Sequence, residues 1–256
     1  MGAPLILLII YFAEPIGLLI LILAATGRGL IEFYRLTLPD IRTQERIVAM
    51  ALGLSLPLVA HFGEGDNLLI FIVLAILVLF ILFAIQPGSF EGITSRMALL
   101  LLGIVWISFL LSHILLLGKE PMGTRWVFFL LLTVWAGDTC AYFTGTLVGK
   151  HKLYPRISPG KSVEGLFGGL VGSILVAFAF ETFFLRALGW GSTLVLPCVL
   201  TILGQIGDFG ESLIKRSVHV KDSSRLIPGH GGMLDRLDSF LFSAPFLCYY
   251  VHWLYH

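Results

Sequence analysis

Long apolar runs separated by short polar connections dominate the chain. A helix needs roughly 20 apolar residues to cross a bilayer core about 30 Å thick, and the first of these runs is short for a full crossing. The runs cover residues 47–62, 67–86, 97–117, 125–147, 164–186, 191–214 and 239–254. This pattern predicts an all-α, polytopic integral membrane protein.

The N-terminal region, residues 4–34, fits two interpretations. It forms either one span from Pro4 to Thr26, or a short segment from Pro4 to Phe12 that is broken at Glu14-Pro15 and followed by a second span. The chain is therefore expected to contain eight or nine transmembrane helices. It has no internal repeat or long linker, so we expect a single membrane-embedded domain over residues 1–256, with a scaffold in 1–124 and the polar motifs in 125–256.

The composition excludes several classes of protein. Hydrophobic residues make up 57% of the chain and charged residues only 13%, against about 25% charged residues in an average soluble domain. A soluble or disordered protein is therefore excluded. The net charge of +1 provides no field that would recruit nucleic acid. The three cysteines all lie in apolar runs without pairing or metal spacing and are interpreted as inert thiols.

The basic residues are distributed unequally between the two sides of the predicted helices. Fourteen of the seventeen lie in alternate connections, and only Lys119, Arg125 and Arg186 lie on the other side. By the positive-inside rule, the side with fourteen basic residues is cytoplasmic. Two long connections on that side, 149–164 and 215–238, contain Gly, Pro, Lys and His, a composition typical of functional loops.

A polar motif ends the run at 191–214. If the helix continues through it, Asp208, Glu211, Ser212 and Lys215 follow each other at i, i+3, i+4 and i+7 and lie on one face. An Asp in a membrane helix costs roughly 2.5–3.5 kcal/mol on insertion scales, so it needs a cation. Two interpretations stay open, an ion pair with Lys215 that ends the span or a carboxylate that binds a metal.

The following loop favours the second interpretation. Gly229, Gly231 and Gly232 allow backbone N–H groups to approach a ligand closely, and Asp235 and Asp238 then precede another apolar helix. Five cations accompany them: Lys215, Arg216, Lys221, Arg225 and Arg236. Basic residues and glycines suit phosphates, and nearby carboxylates suit a hard divalent ion that bridges phosphates.

For the other polar residues, the sequence gives weaker evidence of a functional role. Gly160-Lys161-Ser162 follows a break at Ser158-Pro159 and precedes a helix, so it could hold an anion or simply add positive charge to a cytoplasmic loop. Asp138, in the middle of a span, is either a site residue or a structural acid that hydrogen-bonds to Thr139 or Tyr142. Five histidines without ligand spacing are interpreted as structural: His61, His113, His219, His252 and His256.

These residues resemble the phosphatidate cytidylyltransferases, or CDP-diacylglycerol synthases. The family signature reads Ser-x-apolar-Lys-Arg-x4-Lys-Asp-x-small-x2-apolar-Pro-x-His-Gly-Gly-apolar-x-Asp-Arg-apolar-Asp, and Ser212 to Asp238 fits it at every specified position. Similar family motifs stand at Gly207–Ser212, Asp138–Tyr142 and Ser158–Gly165. Gly160 and Ser162 depart from the Lys and Thr of the family pattern. The resemblance covers about residues 130–254.

The resemblance implies a homodimeric membrane enzyme with a polar cavity that is open to the cytosol and the membrane. In a bacterium, this enzyme would lie in the inner or plasma membrane. It would transfer CMP from CTP to phosphatidate with Mg²⁺, giving CDP-diacylglycerol and pyrophosphate, with K⁺ as a companion ion. The implied metal ligands are Asp208 and Asp235, with Glu211 and Asp238 around them, and the catalytic cations are Lys215 and Arg236. The expected substrate-binding residues are Lys161, Ser212, Arg216, Lys221, Arg225, His230, Gly231 and Gly232.

Three alternatives stay open at this point, and one of them, a non-catalytic scaffold, would bind no nucleotide. A related enzyme would transfer CMP to another lipid phosphate, because no motif in the sequence indicates which acyl chains the protein recognises. An ion-coupled transporter would use Asp138 and Asp208 as an intramembrane relay, but it would not explain why phosphate-binding chemistry gathers in the cytoplasmic loops.

Overall fold

Helices form most of the part of the chain that the structure describes. The computed structural model describes residues 2–13, 15–63, 67–85, 90–185, 188–220, 223–224 and 231–256. Within these ranges the chain forms nine helices and one two-stranded hairpin. The helices are α1 (Gly2–Phe12), α2 (Ile16–Thr37), α3 (Thr43–Phe62), α4 (Asn67–Ile85), α5 (Ile93–Lys119), α6 (Gly123–Val148), α7 (Val163–Leu185), α8 (Trp190–Ser217) and α9 (Leu234–Tyr255), and the strands are β1 (Lys152–Tyr154) and β2 (Ser158–Ser162).

Most of these helices have the length and apolarity of membrane spans. Among the described residues, seven helices qualify, α2 to α8. On α4, Leu69, Ile70 and Val73 are each more than half exposed, as expected for side chains that face lipid. The prediction of an all-α polytopic membrane protein is confirmed. Because α1 is short and α9 is not among these seven helices, the number of eight or nine spans stays a prediction.

The N-terminal region forms a short helix followed by a second, longer helix, which is the second of the two interpretations of the sequence. α1 ends at Phe12 and α2 begins at Ile16, with Pro15 immediately before it. Proline fits this position because its fixed φ suits a helix start and its missing N–H would have no intrahelical partner there. Glu14 lies outside the described residues.

The described residues divide into two compact units. Unit 1 contains Met1–Leu116 and Asp222–Leu237, and unit 2 contains Leu117–Lys221 and Asp238–His256. In unit 1, the Tyr34 hydroxyl donates a 2.9 Å hydrogen bond to the Leu100 carbonyl oxygen of α5. Gly103 makes room for this ring, because an added methyl group would clash with it.

Unit 2 is built around a close pair of helices, α6 and α7. Methyl groups added at Gly168 or Gly172 of α7 would clash with Thr144 or Cys140 of α6. Small residues at such spacing let two membrane helices approach closely. Within the same unit, α7 and α8 are joined by a 2.8 Å hydrogen bond from Thr201 Oγ1 to Ser173 Oγ.

The loop before α7 folds into the β1–β2 hairpin. The strands are antiparallel, with Lys152 opposite Ser162 and Tyr154 opposite Ser158. The expectation that Ser158-Pro159 breaks the backbone is wrong, since both residues lie in β2. A two-stranded hairpin has only edge strands, where the missing N–H of Pro159 is tolerated. The expected helix start directly after Lys161-Ser162 is confirmed.

Candidate active site

The polar face predicted for the end of the run at 191–214 is present on α8. Ser212 Oγ donates a 3.3 Å hydrogen bond to Asp208 Oδ1, and Lys215 Nζ lies 2.5 Å from Glu211 Oε2. These pairs are four residues apart, as neighbours on one helix face should be. The helix continues through the motif to Ser217, so the four side chains are stacked along one side of it.

A carboxylate cluster forms where α8 meets α9. It consists of Asp208, Glu211 and Asp238, which each offer a carboxylate oxygen within 4.8 Å of the other two. Glu211 is 1% exposed and Asp238 is 7% exposed. The backbone N–H of Ser239 donates a 2.6 Å hydrogen bond to Asp238 Oδ1 and fixes that side chain. Glu211 and Asp238, expected around the metal rather than as its ligands, therefore stand beside Asp208.

A glycine of α8 explains this approach. A methyl group added at Gly207 would clash with the backbone carbonyl oxygen of Asp238, and one added at Gly204 would contact Ser239. Only a residue without a side chain lets the α9 backbone lie this close to α8. The residue next to Gly207 is Asp208, so the same contact brings its carboxylate toward Asp238.

The hairpin supplies a cation to the cluster. Lys161 Nζ of β2 lies 2.5 Å from Asp208 Oδ2 and 2.8 Å from Gln205 Oε1. The same ammonium group lies over the Phe209 ring, 4.5 Å from its centre. All three partners belong to α8. The sequence predicted an anion contact for Lys161, and the structure adds its pairing with the acidic helix.

Several charges meet in the cluster. Among the residues that the structure describes, three carboxylates gather around two lysines, Lys161 and Lys215. Like charges repel strongly where water is scarce, and ionised groups are costly to bury unless they are paired or bind a metal. Three oxygen donors at this spacing are the ligands that a hard divalent cation such as Mg²⁺ prefers, so the residues fit such an ion.

Asp138 lies beside this cluster. The Ser239 side chain hydrogen-bonds to its carboxyl group, and Lys161 and Asp208 lie near enough to interact with it electrostatically. Asp138 thus has a hydrogen-bond partner, as the structural interpretation required, but the partner is on α9 rather than Thr139 or Tyr142. Ser239 and Gln205 were missed by the sequence analysis because neither residue type stands out in a polar motif.

The hairpin is anchored at the N-terminus of α7. Ser162 Oγ accepts a 3.1 Å hydrogen bond from the Gly165 N–H and caps the helix. Glu164 accepts hydrogen bonds from the backbone N–H groups of Lys150 and His151 and pairs with the His151 ring at 2.7 Å. These contacts hold β2, and with it Lys161, in a fixed position.

Arg216 binds backbone groups in this structure. Its Nε donates to the Ile157 carbonyl oxygen at 3.4 Å, and its guanidinium also donates to the Val220 carbonyl oxygen at 3.3 Å. It therefore ties the end of α8 to the hairpin, while its expected phosphate contact stays a prediction.

In unit 1, Asp235 organises the start of α9. Its Oδ2 accepts hydrogen bonds from the Gly232 N–H at 2.7 Å, from Ser223 Oγ at 2.6 Å and from the Ser223 N–H at 3.2 Å. Gly231 has φ +71°, a left-handed conformation that favours glycine. The Gly232 amide, expected to donate to a phosphate, donates to Asp235 here. The metal pairing of Asp235 with Asp208 stays a prediction.

Glu32 is the main polar residue of unit 1 that sequence reasoning missed. It is 1% exposed, and its carboxylate accepts from Ser224 Oγ at 2.7 Å and from the Leu234 N–H at 3.0 Å. Arg28 Nε lies 3.3 Å away, one turn earlier on α2. The available signal was this oppositely charged i, i+4 pair inside an otherwise apolar helix.

The remaining predicted site residues divide into two groups. Arg236 is exposed in the first turn of α9. Three others, Lys221, Arg225 and His230, lie outside the described residues.

Comparison with known proteins places the chain. The cytidylyltransferase family matches residues 1–254. The chain belongs to this family. It is 50% identical over 125 residues to a protein of Staphylococcus epidermidis named phosphatidate cytidylyltransferase. These 125 residues are 49% of this chain and 48% of the relative. A Bacillus subtilis protein of the same name is 43% identical over 128 residues, which are 50% of this chain and 48% of the relative. A Staphylococcus saprophyticus protein of that name is 39% identical over 163 residues, which are 64% of this chain and 61% of the relative. The chain thus spans about half to three fifths of the length of these relatives. Their name agrees with the resemblance carried by Ser212–Asp238.

Proposed function

We propose that this protein is a phosphatidate cytidylyltransferase, a membrane nucleotidyltransferase of phospholipid biosynthesis. It transfers CMP from CTP to phosphatidate and produces CDP-diacylglycerol and pyrophosphate. Family membership, the names of the relatives and the complete signature at Ser212–Asp238 support this activity. The family membership also speaks against an ion-coupled transporter.

The carboxylate cluster is the observation that carries the proposal. Asp208, Glu211 and Asp238 would hold Mg²⁺, and the signature adds Asp235 as a further ligand on sequence grounds alone. When bound, the ion would neutralise negative charge on the nucleotide phosphates. K⁺ in a companion site is part of the same proposal.

The side chains of the cluster fit a reaction that needs no general base. Phosphatidate already carries an ionised phosphate oxygen near neutral pH, and this oxygen attacks the α-phosphorus of CTP. The new P–O bond forms as the bond between the α-phosphorus and the oxygen that bridges it to the β-phosphate breaks. Pyrophosphate leaves with the electron pair of that bond. The barrier comes from repulsion between two polyanions and from charge that grows on the leaving group. Fixed cations are therefore more useful here than a proton acceptor.

The protein's own residues divide this work. Lys161 and Lys215 lie at the cluster and would offset phosphate charge, together with Arg236. Ser212 would donate a hydrogen bond to a phosphoryl oxygen. From the signature, Arg216, Lys221, Arg225, His230 and the Gly231-Gly232 amides would bind the triphosphate or the lipid phosphate.

Partners and placement follow from the substrates. CTP is available in the cytosol, so the hairpin and the loop before α9 should face the cytoplasm. The lipid substrate would reach the cluster from the surrounding membrane. A homodimer is part of the proposal on the strength of the family resemblance.

A direct assay tests the activity. Purified protein is incubated with labelled CTP, phosphatidate and Mg²⁺, and a labelled lipid product is expected. Stabilisation by a bound metal is worth several kcal/mol, and about 1.4 kcal/mol is tenfold in rate, so Asp208→Asn should lower the rate by about 100-fold or more. The exposed Asp40, in the turn between α2 and α3, provides the matched control Asp40→Asn, which should keep the wild-type rate. Full activity in Asp208→Asn would refute the metal assignment, and absence of any labelled lipid from wild type would refute the activity.

A further inference from the structure

A second group of metal-ligating side chains lies in unit 2, away from the carboxylate cluster. It consists of Glu120, in the turn after α5, and of His252 and His256 at the end of α9. Each offers one ligand atom, and the three atoms lie within 4.8 Å of one another. Within the described residues, this is the only such group that contains histidine.

The distances already suit a small transition-metal ion. His252 Nδ1 lies 2.9 Å from Glu120 Oε1, and His256 Nε2 lies 3.5 Å from Glu120 Oε2. In a tetrahedral zinc site with ligands about 2.0–2.1 Å from the metal, neighbouring ligand atoms are about 3.3 Å apart. The observed separations fall on either side of this value, so modest side-chain adjustments would admit an ion.

The backbone holds the two imidazoles on one side of α9. His252 and His256 are four residues apart, and the His256 N–H donates to the His252 carbonyl oxygen at 3.0 Å, so helical geometry continues to the second histidine. Two histidines at i and i+4 on a helix are an established zinc-binding arrangement. The ring centres are 4.6 Å apart. The sequence analysis interpreted both histidines as structural; their third ligand is 132 residues away in the sequence and belongs to no local pattern.

The carboxylate of Glu120 has capacity for a ligand. Its Oε2 atom is buried and makes no hydrogen bond among the described residues. Buried carboxylate oxygens are costly to leave without a hydrogen bond or a metal. The Glu120 side chain is 13% exposed, whereas each histidine side chain is 59% exposed. One face is therefore shielded and the other is open for metal entry.

We propose that Glu120, His252 and His256 form a zinc site, with water as the fourth ligand. Two imidazole nitrogens and one carboxylate oxygen are ligands that Zn²⁺ favours over Mg²⁺. The bound ion would tie the turn after α5 to the end of α9. It is separate from the proposed chemistry, because fourteen residues of α9 at 1.5 Å each place His252 about 21 Å along the helix from Asp238.

Zinc titration of the purified full-length protein tests the site. The titration is done in excess Mg²⁺, which competes for oxygen-only sites but poorly for histidine. Wild type should bind one Zn²⁺ per chain, and His252→Ala and Glu120→Gln should each bind it at least tenfold more weakly. The matched control is His61→Ala on α3, whose ring packs on Phe62 and which should bind zinc like wild type. No saturable binding by wild type, or equal affinity in His252→Ala, would overturn the proposal.

A spectroscopic measurement covers the case in which a variant folds poorly. Co²⁺ in place of Zn²⁺ should give the visible absorption bands of a four-coordinate site in wild type. These bands should disappear in His256→Ala, whose side chain is largely exposed and contributes little to packing. Zn²⁺ should also raise the thermal unfolding midpoint of wild type and of His61→Ala, but not that of His256→Ala. Absent cobalt bands in folded wild type, or unchanged bands in His256→Ala, would contradict the site whether or not the protein transfers CMP.

Discussion

The ammonium group of Lys161 connects the hairpin to the acidic face of α8. It pairs with Asp208, donates to the Gln205 side chain and lies over the Phe209 ring. Its side chain is 18% exposed, so solvent screens it only partly. A cation fixed in this way can offset phosphate charge without first being ordered by the substrate, which lowers the entropic cost of binding.

Replacing Lys161 by Ala should therefore weaken substrate binding. We expect the apparent KM for CTP or phosphatidate to rise by about tenfold to 100-fold, because a hydrogen bond to a charged group contributes roughly 1.5–3 kcal/mol. Steady-state formation of CDP-lipid, with each substrate varied in turn, measures this change. Lys161→Arg keeps the charge and should recover part of the loss.

The matched control for this prediction lies on the other strand of the hairpin. Lys152 of β1 is exposed, and Lys152→Ala should leave both KM values at the wild-type level. If Lys161→Ala also leaves both unchanged, the hairpin lysine has no part in substrate binding and serves only as positive charge on the loop.

At the scale of elements, the contact between α8 and α9 determines where the carboxylates meet. Gly207→Ala should push these helices apart, because the added methyl group would meet the Asp238 carbonyl oxygen. Overpacking of this kind costs typically 1–3 kcal/mol. A lower thermal unfolding midpoint and reduced CDP-lipid formation are expected together.

Gly210, three residues further along α8, provides the control. A methyl group there would meet no atom within 4 Å. Gly210→Ala should therefore keep activity and raise stability slightly, since Ala favours a helix by about 1 kcal/mol over Gly. Equal behaviour of the two variants would show that close packing at Gly207 does not position Asp238.

Patterns within one element were readable from the sequence. The apolar runs predicted the long helices, and the i, i+3, i+4, i+7 spacing predicted the acidic face of α8, because both depend only on helical period. The cap at Ser162 likewise sits where the sequence placed a helix start.

Contacts between elements were not readable in the same way. Asp238 reaches Asp208 through a glycine contact between helices, and Lys161 reaches it through a hairpin that has no alternating apolar pattern. Glu32 was missed because its partners Ser223 and Leu234 are about 190–200 residues away in sequence. Such pairings depend on tertiary packing, which a single sequence does not encode as a local period.

At the scale of the whole molecule, the proposed chemistry requires one orientation in the membrane. CTP must reach the hairpin, and the distribution of Lys and Arg predicts that the hairpin is cytoplasmic. α7, one of the seven helices long enough to span, separates β2 from the start of α8. Residues at its two ends should therefore be accessible from opposite sides.

Cysteine labelling at Gly160 and Gly189 tests this orientation with two matched positions. Both glycines are exposed and an added side chain would meet no atom within 4 Å, so Gly160→Cys and Gly189→Cys should fold normally in a background without Cys140, Cys198 and Cys248. In intact cells, a membrane-impermeant maleimide should label Gly189→Cys and leave Gly160→Cys unlabelled. In inverted membrane vesicles the pattern should reverse. Labelling of Gly160→Cys from outside intact cells would place the hairpin away from cytosolic CTP, and the proposed reaction could then not take place at Lys161 and Asp208.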